Sequence, residues 1–141
     1  MGSEKYHVAQ FSFAELCEAP LGAADYIIIA SSFSTIFVRD IPLLSMDTLN
    51  PMRRFITLID CLYDAGVIVH CLAEGPPELI FKKEEGAARF HDELFAFDRT
   101  ISRLNEMRSR DYVQQHNERR QEMPEKNSEI STISSKDVHT L

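Results

Sequence analysis

The sequence predicts an α/β fold, a small parallel sheet of about three strands with crossover helices, followed by a disordered C-terminal tail. Short apolar runs near residues 6–12, 35–38 and 67–69 alternate with stretches whose apolar residues recur at helical spacing. Each strand-to-strand connection is long enough for a helix, as right-handed parallel βαβ pairing requires. Beyond Asn117 only Met123, Ile130, Ile133, Val138 and Leu141 are large and apolar, too few to build a core. A domain over 1–116 and a tail over 117–141 follow.

Composition narrows the function classes. At 141 residues the chain suits one domain, or a domain plus a tail, and a compact chain of this size buries about 68% of its unfolded surface. Fifteen Lys and Arg against 22 Asp and Glu give a net charge of −7, the wrong sign for a protein whose main partner is nucleic acid. The longest apolar run, Tyr26–Ala30, is far short of a transmembrane helix. Cys17, Cys61 and Cys71 are an odd set with no close pair and are read as buried thiols in a reducing compartment. The N-terminus shows no signal core, presequence pattern or myristoylation motif.

A first strand is predicted over Tyr6–Ser12. Ser12 and Glu15 then form a capping-box pattern that starts a short helix through Leu16 and Cys17, closed by Pro20. Ala23, Ile27 and Ala30, with Ala24 and Ile28, predict a helix over 22–33, although Ile27–Ile29 also fit a strand. Thr35–Val38 reads as a strand buried on both faces, ended by Arg39, Asp40 and Pro42.

Asn50-Pro51 reads as a cap followed by proline at the first helical position. The stripe Met52, Phe55, Ile56, Ile59, Leu62 and Tyr63 is predicted core, with Arg53, Thr57, Asp60 and Asp64 opposite. Gly66 ends this helix, Val67–Val69 resumes a strand, and Gly75-Pro76-Pro77 breaks the chain. Lys82–Gly86 reads as a charged linker. A last helix is predicted from about Asp98 to Val113, burying Phe97, Ile101, Leu104 and Met107. So narrow a sheet leaves apolar strand edges that neighbouring strands or another chain must cover.

No glycine begins a G-x-x-x-x-G-K-[ST] or G-x-G-x-x-G loop, so these residues cannot cradle a nucleotide by themselves. Zinc is disfavoured because Cys17, Cys61, His70 and Cys71 lack paired spacing. His70 and Cys71 point to opposite strand faces, which argues against a nucleophile pair. Asp40, Asp60 and Asp64 supply carboxylates, with solvated surface the commoner role. Arg53 and Arg54 fall in a predicted first helical turn, where the dipole calls for a compensating carboxylate, phosphate or neighbouring subunit. Arg99 and Arg103 project two guanidinium forks from one helix face, suited to phosphate or carboxylate, with Asp98 and Glu106 as the nearest neutralisers.

Four strings, F-S-F-A-E-L-C at 11–17, P-L-G-A-A-D-Y at 20–26, R-R-F-I-T-L-I-D at 53–60 with L-Y-D at 62–64, and F-D-R-T-I-S-R-L-N-E-M at 97–107, resemble the C-terminal part of the AFG1-like family of AAA+ ATPases. The similarity runs in order from about Phe11 to Tyr112. It implies the C-terminal portion of a P-loop AAA+ domain whose Walker A and B elements and first sensor lie in a preceding half. By resemblance, Arg99 and Arg103 fall in the second-sensor region, and Arg53 and Arg54 are candidates for a site between subunits. ATP and magnesium are the cofactors of the full-length family, and neither is expected to bind this chain tightly. The resemblance further implies a fragment or short form of a mitochondrial protein whose parent couples ATP hydrolysis to protein quality control. With no presequence visible, a cytoplasmic location stays open. The other reading is a non-catalytic module that associates with full-length ATPase subunits, and the expected partners are such subunits, further copies of this chain or protein clients.

Overall fold

The computed structural model describes the backbone of residues 7–81 and 91–122, and the side chains of these except 91 and 117–122. Three strands, β1 (Val8–Ser12), β2 (Thr35–Ile41) and β3 (Ile68–Ala73), form one parallel sheet in the order β1-β2-β3. The crossover from β1 to β2 contains a π-helical turn (Ala14–Glu18) and α1 (Ala23–Ser32). That from β2 to β3 contains a 3-10 turn (Met46–Thr48) and α2 (Leu49–Ala65). Helices α3 (Pro77–Ile80), α4 (His91–Met107) and α5 (Arg110–Glu122) follow. The predicted α/β class with a parallel three-stranded sheet is the observed one.

The register places Ala9, Ile36 and Val69 in one row and Gln10, Phe37 and His70 in the next. Side chains alternate faces along a strand. Ala9, Ile36 and Val38 therefore point together into the core, where they meet the buried stripe of α2, Met52, Phe55, Ile56, Leu58, Ile59 and Leu62. The predicted stripe holds, with Leu58 added and Tyr63 left half-exposed. Helix α4 closes the far side of α2 through Phe97, Leu104 and Met107, and Phe81 stacks on Phe97 at 4.8 Å.

Local signals act as the residue chemistry demands. The Glu15 amide donates to Ser12 Oγ at 3.1 Å and the Ser12 amide to Glu15 Oε1 at 3.3 Å, a reciprocal capping box. The Gly22 amide donates to Asp25 at the start of α1. Gly66 takes φ 70° beyond α2, a left-handed conformation that any Cβ would strain. The hydroxyls of two buried tyrosines bridge elements: Tyr26 donates to the Leu16 carbonyl at 2.7 Å and Tyr112 to the Val67 carbonyl at 2.8 Å.

Several expectations are corrected. Asn50 is not the cap of α2. Ser45 caps the preceding 3-10 turn, and that turn runs straight into α2 at Leu49, so Pro51 is the third helical residue, still within the turn whose amides lack partners. The last predicted helix is two: α4 starts at His91, and the helix breaks at Arg108-Ser109, where Ser109 Oγ accepts the Tyr112 amide and caps α5. The backbone of 117–122, assigned to the tail from composition, continues α5, while 123–141 and the 82–86 linker lie outside the described residues. Nor is β2 buried on both faces: Ile36 and Val38 are, but Phe37 is half-exposed. Of the three cysteines Cys17 is buried, Cys61 intermediate and Cys71, on a strand with one neighbour among the described residues, exposed in total area although its thiol is desolvated and pushed up to about 12.

Phe55→Ala or Ile59→Ala should cost about 2–5 kcal/mol of unfolding free energy in urea titration, since each fully buried side chain would leave a cavity. A near-neutral result would remove the α2 stripe from the core.

Candidate functional site

Asp60 and Tyr63 are three residues apart on α2, and Arg99, Arg103 and Glu106 follow helical spacing on α4, so the two sets face each other where the helices pack. Arg99 Nη2 donates to Asp60 Oδ2 at 3.0 Å, and Arg103 Nη1 donates to Asp60 Oδ1. One carboxylate thus accepts from two guanidinium groups, one N–H from each. The Arg103 guanidinium also lies over the Tyr63 ring, 4.8 Å from its centroid. The Tyr63 hydroxyl donates to Glu106 Oε2 at 2.7 Å, and this hydrogen bond is the main reason its phenol is held above the ordinary tyrosine range.

The expected neutralisers of the pair were Asp98 and Glu106, but Asp60 is the acceptor of both arginines. Asp98 adjoins Arg99 in sequence and so projects about 100° away round the helix, while Glu106 accepts from Tyr63. Asp60 itself carried only a generic carboxylate reading. Its fit to both arginines depends on the packing of α2 on α4, which no local pattern specifies. The site remains accessible, with the Arg99 side chain 49% exposed and those of Arg103 and Asp60 26% and 27%.

Arg53 and Arg54 are not brought to this cluster. Because α2 begins at Leu49 they are its fifth and sixth residues, clear of the first turn. Arg53 nevertheless has a carboxylate partner, Glu93 near the start of α4, whose carboxyl is held below its ordinary range chiefly by that hydrogen bond. Glu93 falls in the 82–95 stretch, which carries no recognisable motif. Arg54 Nη1 donates at 3.2 Å to the Cys17 carbonyl, satisfying an acceptor in the last turn before Glu18.

The aspartates do not assemble. Asp40 sits at the carboxyl end of β2 with φ 59° and pairs with Arg39, which also lies 3.6 Å from Glu15. Asp64 borders an open polar cavity of about 550 Å3 with Tyr63, Glu106, Asp111 and Tyr112. Burial pushes the Cys17 thiol up to about 12, partly opposed by the Arg54 guanidinium. A group that cannot ionise in place is inert as a nucleophile.

The residues present fit one part of a nucleotide. Two guanidinium forks that already grip a carboxylate have the donors for phosphate oxygens. Among the described residues no three His, Cys, Asp or Glu side chains gather to hold a metal ion. Among them, too, no helix is long and apolar enough to cross a membrane.

A double-mutant cycle of Asp60→Asn with Arg103→Ala should give a coupling of about 0.5–1 kcal/mol in urea unfolding, the scale for half-exposed pairs. Zero coupling would mean the contact holds nothing together. For Cys17 the folded value lies above the unfolded one, so its contribution to stability is whole below the ordinary thiol value of 9.0 and is lost as pH rises toward 12. Unfolding free energy should therefore fall faster above pH 9.0 in the parent than in Cys17→Ala. Parallel curves would contradict the burial.

The family model for AFG1-like ATPase matches residues 2–116. Lactation elevated protein 1 homolog B of Danio rerio is 37% identical over an alignment covering 74% of this chain and 26% of that protein. Uncharacterized protein C115.02c of Schizosaccharomyces pombe is 34% identical (76% and 28% covered), and cell division protein ZapE of Escherichia coli K12 is 33% identical (80% and 28%). The chain thus spans about a quarter of the length of these relatives. No solved structure matches it. With the family model covering the sheet, α2 and the arginine helix α4, the chain belongs to the AFG1-like ATPase family.

Proposed function

We propose that this chain supplies the arginine-bearing, C-terminal part of an ATP-hydrolysing AFG1-like assembly. The observation that carries the reading is the convergence of Arg99 and Arg103 on one acceptor, Asp60, at an accessible helix junction. Arg99 and Arg103 act as the second-sensor pair toward the outer phosphates of ATP. Arg53, on the exposed side of α2, acts across a subunit boundary, whereas Arg54 serves the Cys17 carbonyl. The phosphate loop and the magnesium-holding acid come from residues outside this sequence, so the chain does not hydrolyse ATP alone. Full-length subunits or further copies are its partners, and the assembly works in mitochondrial protein quality control.

A second reading is supported by a separate observation, the open face of the sheet around Phe37, His70 and Leu72. On it, the chain is a non-catalytic module that inserts among full-length ATPase subunits.

A nucleotide titration of the purified chain, with and without a full-length relative, tests both. The first reading expects no magnesium-dependent ATP binding by the chain alone. It also expects Arg103→Ala, placed at the equivalent position of a full-length relative, to lower turnover at least tenfold with little change in thermal midpoint. Equal loss of turnover and stability would make the arginine structural. Tight ATP uptake by the isolated chain would overturn the reading.

A further inference from the structure

The sheet is entirely parallel, and such sheets are stable with both faces covered. Here one face lies on the core, through Ala9, Ile36 and Val38. On the other, Gln10, Phe37 and His70 stand side by side in register, with the Phe37 and His70 rings stacked at 4.6 Å and 19°. Together with Arg39 and Leu72 they line an open depression of about 180 Å3. Leu72 is 65% exposed, His70 is exposed and Phe37 half-exposed, whereas Gln10 at the β1 end of this face is buried. The depression reaches β3, whose outer edge has no neighbouring strand among the described residues.

The family relatives are about four times longer than the segment they share with this chain. Roughly three quarters of their length is therefore available to form the missing layer. We propose that the Phe37–His70–Leu72 face is the docking surface for an amphipathic helix from that remaining part of an AFG1-like ATPase. Its apolar stripe lies on Phe37 and Leu72 and completes the second layer of the sheet. Helices are the covering that parallel sheets take on both faces, because each crossover must lie over one of them. The inference rests on the second of the two readings above and is independent of the arginine site.

The test is co-expression of the 141-residue chain with full-length Danio rerio lactation elevated protein 1 homolog B, so that the chain can compete for the covering segment during folding. A photo-crosslinking amino acid replaces Leu72, and in a parallel sample Leu72 is changed to Asp. Leu72 is exposed, so the fold should persist, which circular dichroism and the thermal midpoint verify; Ile28→Asp, on exposed α1, is the control. Expected are co-purification, a crosslink from position 72 to a relative's peptide outside the matched segment, at least tenfold weaker capture with Leu72→Asp, and unchanged capture with Ile28→Asp. Co-purification that ignores Leu72→Asp, or a crosslink inside the matched segment, would overturn the surface and leave the module reading standing. Crosslinks only between copies of this chain, or within one copy, would overturn the proposed occupant. No co-purification at all would remove the module reading, and this surface with it.

Discussion

Helix α2 is the constraint on which the rest of the structure depends, because it is packed on two sides by different kinds of force. Its apolar stripe, from Met52 to Leu62, fills the space beneath the sheet. Each fully buried member contributes about 1.5–3 kcal/mol by leaving water. Its other flank meets α4, which adds Phe97, Leu104 and Met107 to the core, through a polar and aromatic rim as well: Arg53 with Glu93, Asp60 with both arginines, and Tyr63 beneath Arg103. Burial sets where α2 lies, and the polar flank sets how α4 is rotated against it.

That division explains why the charged cluster is organised without being buried. A buried ion pair would carry a large desolvation cost, whereas groups a quarter to a half exposed keep part of their hydration. The net stabilisation is small, but the geometry is defined, since the Asp60 carboxylate accepts from both guanidinium groups at once and the Tyr63 ring lies beneath one of them.

The sheet offers the opposite case. Among the described residues its core face is covered by α2, yet its second face leaves Phe37 half-covered and Leu72 exposed, whereas all-parallel sheets are stable with both faces covered. The mismatch fits the length relation to the family, in which this segment is about a quarter of each compared protein. Arginine cluster and open face lie on different elements, the one between α2 and α4 and the other on β2 and β3.

What the residues determined locally was legible in advance. The parallel α/β class, the Ser12–Glu15 box, the α2 stripe and the Gly66 stop each depend on neighbours within a few positions, and each is found where expected. Family membership was legible for a related reason, since long ordered strings such as 53–64 and 97–107 record many local choices at once. Helix ends were less legible: Asn50-Pro51 has the chemistry of a start, but the Ser45-capped turn upstream supplies an earlier one. Only the tertiary structure decided that Asp60 receives Arg99 and Arg103, that Arg54 turns to the Cys17 carbonyl, and that Cys71 lies on an edge strand among the described residues. Those outcomes depend on which helix faces which and on which strand lies at the edge, relations between segments some forty residues apart that periodicity within any one segment does not encode.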